Sequence, residues 1–331
     1  MMHVSVLVPR GAAVLNCIEG SFMLLKLVND YAVSKGRPRP FETHLVGLSK
    51  EPRVYDRFFS VSPDASIAEV GRTDLIIIPA INGDKSSVIA ENADFLPWIA
   101  DRYRGGAEVA SLCVGAFLLA ATGLLDGRSC TTHWSSVNDF RRRFTDVKLV
   151  SASIITDEAG LYSSGGALSF WNLLLYIVEK YVDRDAALFA SKYFEIDIDR
   201  NDQSPFLIFN GQKDHRDDSI RKAQEFIEGN YRRRITVEEL SSMLAVGRRS
   251  LERRFKQATG NTVSEYIQRV KIEAAKKGFE ASRKNVAEIM YDVGYSDTKA
   301  FRAVFRRITG MSPVDYRNRY QVSVPGKARG S

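Results

Sequence analysis

Residues 250–267, SLERRFKQATGNTVSEYI, recur at 300–317 as AFRAVFRRITGMSPVDYR, with Phe255/Phe305, Thr259/Thr309, Gly260/Gly310 and Tyr266/Tyr316 identical. Just upstream, TVEELSSMLAVG (236–247) faces NVAEIMYDVGYS (285–296), with the spacing shortened by one residue. Self-similarity on this scale requires one supersecondary unit built twice. Thr236 and Asn285 are good helix N-caps. Gly260 and Gly310 are good C-cap residues. Breaks at 246–247 and 294–295 split each copy into two helices around a tight turn, the helix-turn-helix layout.

Helical spacing sorts the side chains of each second helix. Leu251 and Phe255 fall on one face, as do Phe301 and Phe305, so these predict the buried side. The opposite faces carry Arg249, Arg253 and Lys256 in the first copy and Lys299, Arg302 and Arg306 in the second. A basic outward face suits a major groove, where arginine pairs with guanine through two hydrogen bonds. Between the copies Val263, Ile267, Val270 and Ala274 recur at helical spacing and predict a connecting helix that fixes the two reading helices relative to each other.

Charge follows the same division. Residues 217–331 hold 24 Lys+Arg and 14 Asp+Glu, a net of +10, whereas 1–216 hold 23 and 26, a net of −3. A basic domain attracted to a polyanion and a near-neutral domain with another task are expected. The 331 residues suffice for two domains, and 44% apolar residues suffice for their cores. No apolar run reaches membrane-spanning length, the start MMHVSVLVPRG reads as a buried strand, and no membrane association is expected. Cys17, Cys113 and Cys130 show no metal or redox spacing, so neither metal nor cofactor is expected and a reduced, cytoplasmic setting is.

Residues 217–320 resemble the AraC/XylS type of DNA-binding domain, and DVGYSDTKAFRAVFRRITGMSPVDYR is close to that family's signature. The resemblance implies base reading by Arg249, Glu252 and Arg253 in the first unit and by Thr298, Lys299 and Arg302 in the second. Ala303 stands where many members carry an arginine, which implies that the second unit contacts mainly phosphates; Lys256 and Arg306, on the same basic faces, are also expected to bind DNA.

The first 200 residues alternate aliphatic runs, at 4–8, 44–48, 75–78 and 109–112, with amphipathic stretches at 20–34, 86–104 and 115–121. This predicts an α/β fold, a flavodoxin-like doubly wound parallel sheet, beside the C-terminal all-α tandem helix-turn-helix domain. Such sheets bind ligands beyond the carboxyl ends of their strands. Asn16, Asn82, Cys113 and Ser164 all follow expected strands, and Val114 adjoins the cysteine. In ASLCVGAFLLAATGLLDGRSCTTHW (110–134), Cys113 falls where strand gives way to helix, and Gly115 and Ala116 leave room for a sharp turn. That is elbow geometry, in which free backbone N–H groups would lower a thiol pKa and His133 would act as base or orienter. Equally, Cys113 is read as a small core residue and His133 as a packing residue.

Residues 1–200 resemble the PfpI-like domain of the class I glutamine amidotransferase superfamily, in the form found in GlxA-type AraC regulators. The Cys-x-Gly-Ala…Thr-Thr-His-Trp pattern and YSSGGALSFWNLLLYIVEKY (162–181) carry this resemblance. Enzymatic relatives add an acid after the first strand and a Gly-Gly pair before the elbow; Asn16 and Ala80–Ile81 occupy those positions here, and Glu19 lies three residues beyond. No catalytic residue is therefore assigned. The expected protein is a regulator with a ligand-sensing domain (1–200), a linker (201–216), a DNA-binding domain (217–320) and a tail (321–331). The apolar centre of the linker predicts that it docks on a domain or a second subunit. Promoter DNA, a small polar effector, a second copy of the chain and RNA polymerase are the implied partners. An active cysteine hydrolase or glyoxalase-type enzyme fused to a DNA-binding domain, or an N-terminal domain that only dimerises, are the other readings.

Overall fold

A computed structural model describes residues 1–55, 57–198, 202–213 and 215–321. The chain divides into two compact units, one ending at Gln203 and the other beginning at Ser204.

The first unit is a doubly wound α/β sandwich. Its sheet strands are β1 (Met2–Val8), β2 (Phe41–Gly47), β3 (Ala65–Ser66), β4 (Leu75–Ile78), β5 (Glu108–Ser111), β6 (Ile155–Glu158) and β7 (Leu161–Ser164), in the order β6-β7-β5-β4-β1-β2-β3. All neighbours are parallel except the β6–β7 hairpin. The run Leu75–Ile78 is buried at every position, as a strand covered on both faces must be. Winding reverses between β1 and β4, which places the topological switch point at their carboxyl ends.

Helices α1 (Leu15–Ser34), α2 (Lys85–Glu91), α3 (Phe95–Arg104), α4 (Ala116–Ala121), α5 (Val137–Arg143), α6 (Ser169–Tyr181) and α7 (Arg184–Tyr193) complete the unit. The stretch 86–104, read as one amphipathic segment, is two helices. Asn92 breaks it: the side chain is fully buried, accepts from the Arg10 N–H at 2.8 Å and donates to the Arg10 carbonyl at 3.1 Å. The same amide donates to the Val88 carbonyl at 2.9 Å, a local bond that competes with the helix ladder at that turn.

The second unit is all helical: α8 (Asp218–Asn230), α9 (Val237–Met243), α10 (Arg248–Thr259), α11 (Val263–Ala281), α12 (Val286–Asp292), α13 (Thr298–Thr309) and α14 (Pro313–Tyr320). Thr236 caps α9 by accepting from the Glu239 N–H, and Asn285 caps α12 within a capping box. Gly260 and Gly310 end α10 and α13 in the left-handed conformation, at φ 71° and 72°. Leu251, Phe255, Phe301 and Phe305 are buried, each contributing about 1.5–3 kcal/mol relative to exposure. They belong to two separate cores. One holds Ile220, Leu240, Phe255 and Tyr266, the other Phe279, Ile289, Phe305 and Tyr316; α11 supplies side chains to both.

The described residues 202–213 do not run as a separate connection. Asp202 and Gln203 pack in the first unit, and 204–213 lie along the helices of the second. Asn201 and Asp214 are outside the described residues, as is 322–331 of the expected tail.

Candidate functional site

The site of the first unit is built around the turn after β5. Cys113 has φ 55°, the left-handed region that non-glycine residues rarely adopt, and opens a single helical turn (Cys113–Gly115) ahead of α4. Gly115 makes the turn possible: a Cβ there would lie 2.7 Å from the carbonyl oxygens of Ile78 and Pro79. The Cys113 N–H donates to the Ser164 hydroxyl at 3.0 Å, and its carbonyl accepts from the Thr132 hydroxyl at 3.1 Å. The elbow therefore ties the ends of β5 and β7 to the 131–133 segment.

The electrostatics differ from the expectation for an activated thiol. Cys113 is 6% exposed, and burial pushes its pKa up to about 12, with nearby Cys17 adding to the rise. The Val114 N–H and the Lys85 ammonium act in the opposite direction and lose. Cys17 is itself raised to about 11 by burial. The free N–H groups at the helix start do not lower the thiol pKa, because desolvating a thiolate costs more than those donors return.

His133 caps the turn that follows it. Its Nδ1 accepts from the Ser135 N–H at 3.1 Å and sits 2.7 Å from the Ser135 hydroxyl. Burial lowers its pKa. Among the described residues no hydrogen bond joins His133 to Cys113. Asn16, on the first turn of α1, and Asn82, which pairs with Ala12 in a two-residue ribbon, are both exposed. Glu19 is exposed as well. Val114 and Ser164 are buried with Cys113, so the structure joins Cys113, Val114 and Ser164 directly, whereas the two asparagines are exposed.

Two residues beside the elbow carry no sequence pattern that singles them out. Lys85 is half-buried, donates to the Ile81 carbonyl at 3.0 Å and sits over the Phe117 ring. Gln203 is fully buried and donates to the Thr132 carbonyl at 3.2 Å. Only the fold brings either one there.

In the second unit Arg249, Glu252, Arg253 and Lys256 are exposed along α10, and Thr298, Lys299, Arg302, Ala303 and Arg306 along α13. Glu252 accepts from the Arg248 Nε at 3.4 Å, and Arg248 also pairs with Glu238 at 2.6 Å. Arg249, Arg253, Lys299, Arg302 and Arg306 form no ion pair among the described residues. Arg254, between two of them, instead turns back to grip the Asp217 carboxylate with two hydrogen bonds of 2.8 and 2.5 Å. One face of α10 thus braces the unit while the other presents unpaired cations.

An α/β domain with a strained elbow, joined to a tandem helix-turn-helix domain, is the build of a DNA-binding transcription regulator. Residues 17–180 match the DJ-1/PfpI family and residues 240–319 match a helix-turn-helix domain. The HTH-type transcriptional regulator GbdR of Pseudomonas aeruginosa (strain UCBPP-PA14) is 25% identical over 269 residues, covering 80% of this chain and 71% of that protein. GlxA, an HTH-type transcriptional regulator of Rhizobium meliloti (strain 1021), is 23% identical over 220 residues, covering 65% of this chain and 67% of its own. The fold of the first unit is like that of a solved protein from Vibrio parahaemolyticus assigned as a transcriptional regulator, with TM-score 0.52 and 23% identity over 58% of this chain and 98% of that one. The chain is an AraC-type helix-turn-helix regulator that carries a DJ-1/PfpI domain.

Proposed function

We propose that this regulator reads promoter DNA through α10 and α13 and senses a small polar metabolite in its DJ-1/PfpI domain. The exposed, unpaired cations at matching positions of the two helix-turn-helix copies carry the reading. Arg249 and Arg253 face outward near the start of α10, where side chains reach base edges. Glu252 and Thr298 lie on the same outward faces. With Ala303 exposed in its second turn, α13 grips mainly phosphates through Lys299, Arg302 and Arg306.

Sensing is assigned to residues 1–200 and DNA binding to 217–320. The elbow cleft, with Cys113, Val114, His133 and Ser164 inside and Asn16 and Asn82 at the rim, holds the effector. Turnover is not its role: the thiol is held protonated, His133 is spent on Ser135, and neither Asn16 nor Glu19 supplies a buried acid. A second copy of the chain would pair half-sites and strengthen binding by effective concentration.

The test starts from a duplex enriched from a random library by the full chain, and from metabolites that raise its thermal midpoint. Those metabolites should shift affinity for that duplex and come back chemically unchanged. Their stoichiometric consumption by the wild type, abolished in Cys113→Ser together with the transcriptional response, would make the enzyme the better reading.

A further inference from the structure

Gln203 is the last residue of the first unit, and nothing in its sequence context marks it. Yet its side chain is fully buried. Its Oε1 accepts from the Gly166 N–H at 2.9 Å. Its Nε2 lies 2.9 Å from the Ser151 carbonyl, 3.2 Å from that of Thr132, 3.3 Å from that of Ser153 and 3.3 Å from the Thr131 hydroxyl. A carboxamide nitrogen has two hydrogens to give. Four oxygens around it exceed what it needs, and such a pocket suits an ammonium or amide nitrogen in general. The pocket also belongs to the elbow: Thr132, whose carbonyl meets Gln203, places its hydroxyl on the Cys113 carbonyl. Gly165 is shaped around the same group, since a Cβ there would lie 2.7 Å from Gln203 Nε2.

The next residue begins the second unit, and the segment it opens is fastened along that unit. The turn Ser204–Phe206 packs against α13. The Leu207 carbonyl accepts from the Lys276 ammonium, which also pairs with Glu273 at 2.9 Å; both side chains are almost fully buried. Glu273 accepts from the Phe209 N–H at 3.1 Å. Gln212 accepts from Asn261 at 3.2 Å and from Gln224 at 3.0 Å. One peptide bond thus joins a side chain clamped inside the sensing domain to a strap bound along α11 and against a reading helix.

We propose that Gln203 is a built-in latch: its carboxamide occupies a subsite of the effector cleft, and a small molecule bearing a primary amide or ammonium nitrogen beside an acceptor oxygen displaces it and shifts the strap on the reading helices. Gly166 N–H takes the acceptor oxygen, and the ring of carbonyls takes the nitrogen. The inference rests on the regulator reading above.

The test uses the full chain and the library-enriched duplex. Gln203→Ala should change affinity for that duplex by about fivefold or more. Acetamide replaces the atoms this substitution removes. It should raise the thermal midpoint of the variant but not that of the wild type, and leave the variant's DNA affinity at its changed value, because a free amide fills the pocket without holding the strap; methylammonium, offering the nitrogen without the oxygen, should raise the midpoint less. Gly165→Ala leaves Gln203 in the sequence but expels it, and should reproduce the change. Folded variants with wild-type affinity overturn the latch, and so does a change that acetamide reverses or that Gly165→Ala does not repeat. If the wild type itself enriches no duplex and binds none in a salt-sensitive way, the regulator reading fails and the latch falls with it.

Discussion

Cys113 combines a rare backbone conformation with a thiol that burial keeps protonated, and the two have separate consequences. With its pKa raised to about 12, the thiol should react slowly with iodoacetamide at neutral pH. Labelling should accelerate by about tenfold per pH unit as the thiolate forms, up to about pH 12; rapid labelling near pH 7, followed by mass spectrometry of the 110–134 peptide, would contradict this. The raised pKa also has a sign for stability. A thiol that titrates higher folded than unfolded contributes stability below the unfolded value of about 8.5, and that contribution is lost as pH rises toward the folded value. Cys17 and Cys113 act together in this window, so the thermal midpoint should fall above about pH 8.5, and less steeply in Cys113→Ser. His133 works in the other direction: its lowered pKa withdraws stability as pH falls below about 6.5. On the DNA side, Arg253→Ala should weaken binding to the enriched duplex by about 1–3 kcal/mol and relax preference at one or two base pairs. Equal losses on enriched and random duplexes would instead assign Arg253 to phosphate.

The two helix-turn-helix turns differ at one equivalent position, and the difference is testable. Ala245 in the first turn and Gly294 in the second both have positive φ, 51° and 75°. Ala245 is exposed, so Ala245→Gly should stabilise the protein by about 0.5–1 kcal/mol, read as a higher denaturation midpoint. Gly294 has no room: a Cβ would lie 1.9 Å from the Arg232 carbonyl oxygen, and the Lys271 ammonium donates to the Gly294 carbonyl at 3.0 Å. Gly294→Ala should therefore cost about 2–4 kcal/mol and melt the second core first. These elements were readable from sequence because their signals are local: a cap, a four-residue apolar spacing, a C-terminal glycine. The elbow was readable for the same reason, through Cys113 and Gly115. Asn92, Lys85 and Gln203 were not, because each acts on backbone or side chains far along the chain, and no spacing rule connects Gln203 to Gly166 or Asn92 to Arg10. The thiol pKa was misjudged on the same ground, since local donors are visible in sequence and burial is not.

At the scale of the molecule, the charge division sets the form of binding. If Lys256, Lys299, Arg302 and Arg306 meet phosphates while Arg249 and Arg253 read bases, the logarithm of affinity should fall with the logarithm of salt at a slope of about −4. Replacing Arg306 with glutamine should reduce that slope by about 0.9, measured by fluorescence anisotropy across a salt series; an unchanged slope removes Arg306 from the interface. Among the described residues no helix is long and apolar enough to cross a membrane. The second unit has two cores strung on one helix, and that arrangement makes it a walker with two feet. If both reading helices engage the groove as proposed, one could lift while the other still holds, so release would proceed in steps and rebinding would compete with escape. A free duplex in solution could then capture the lifted head before it returns. The residence time on a promoter should then shorten as competing DNA becomes more abundant, which makes the crowding of the chromosome itself a term in how long the regulator stays.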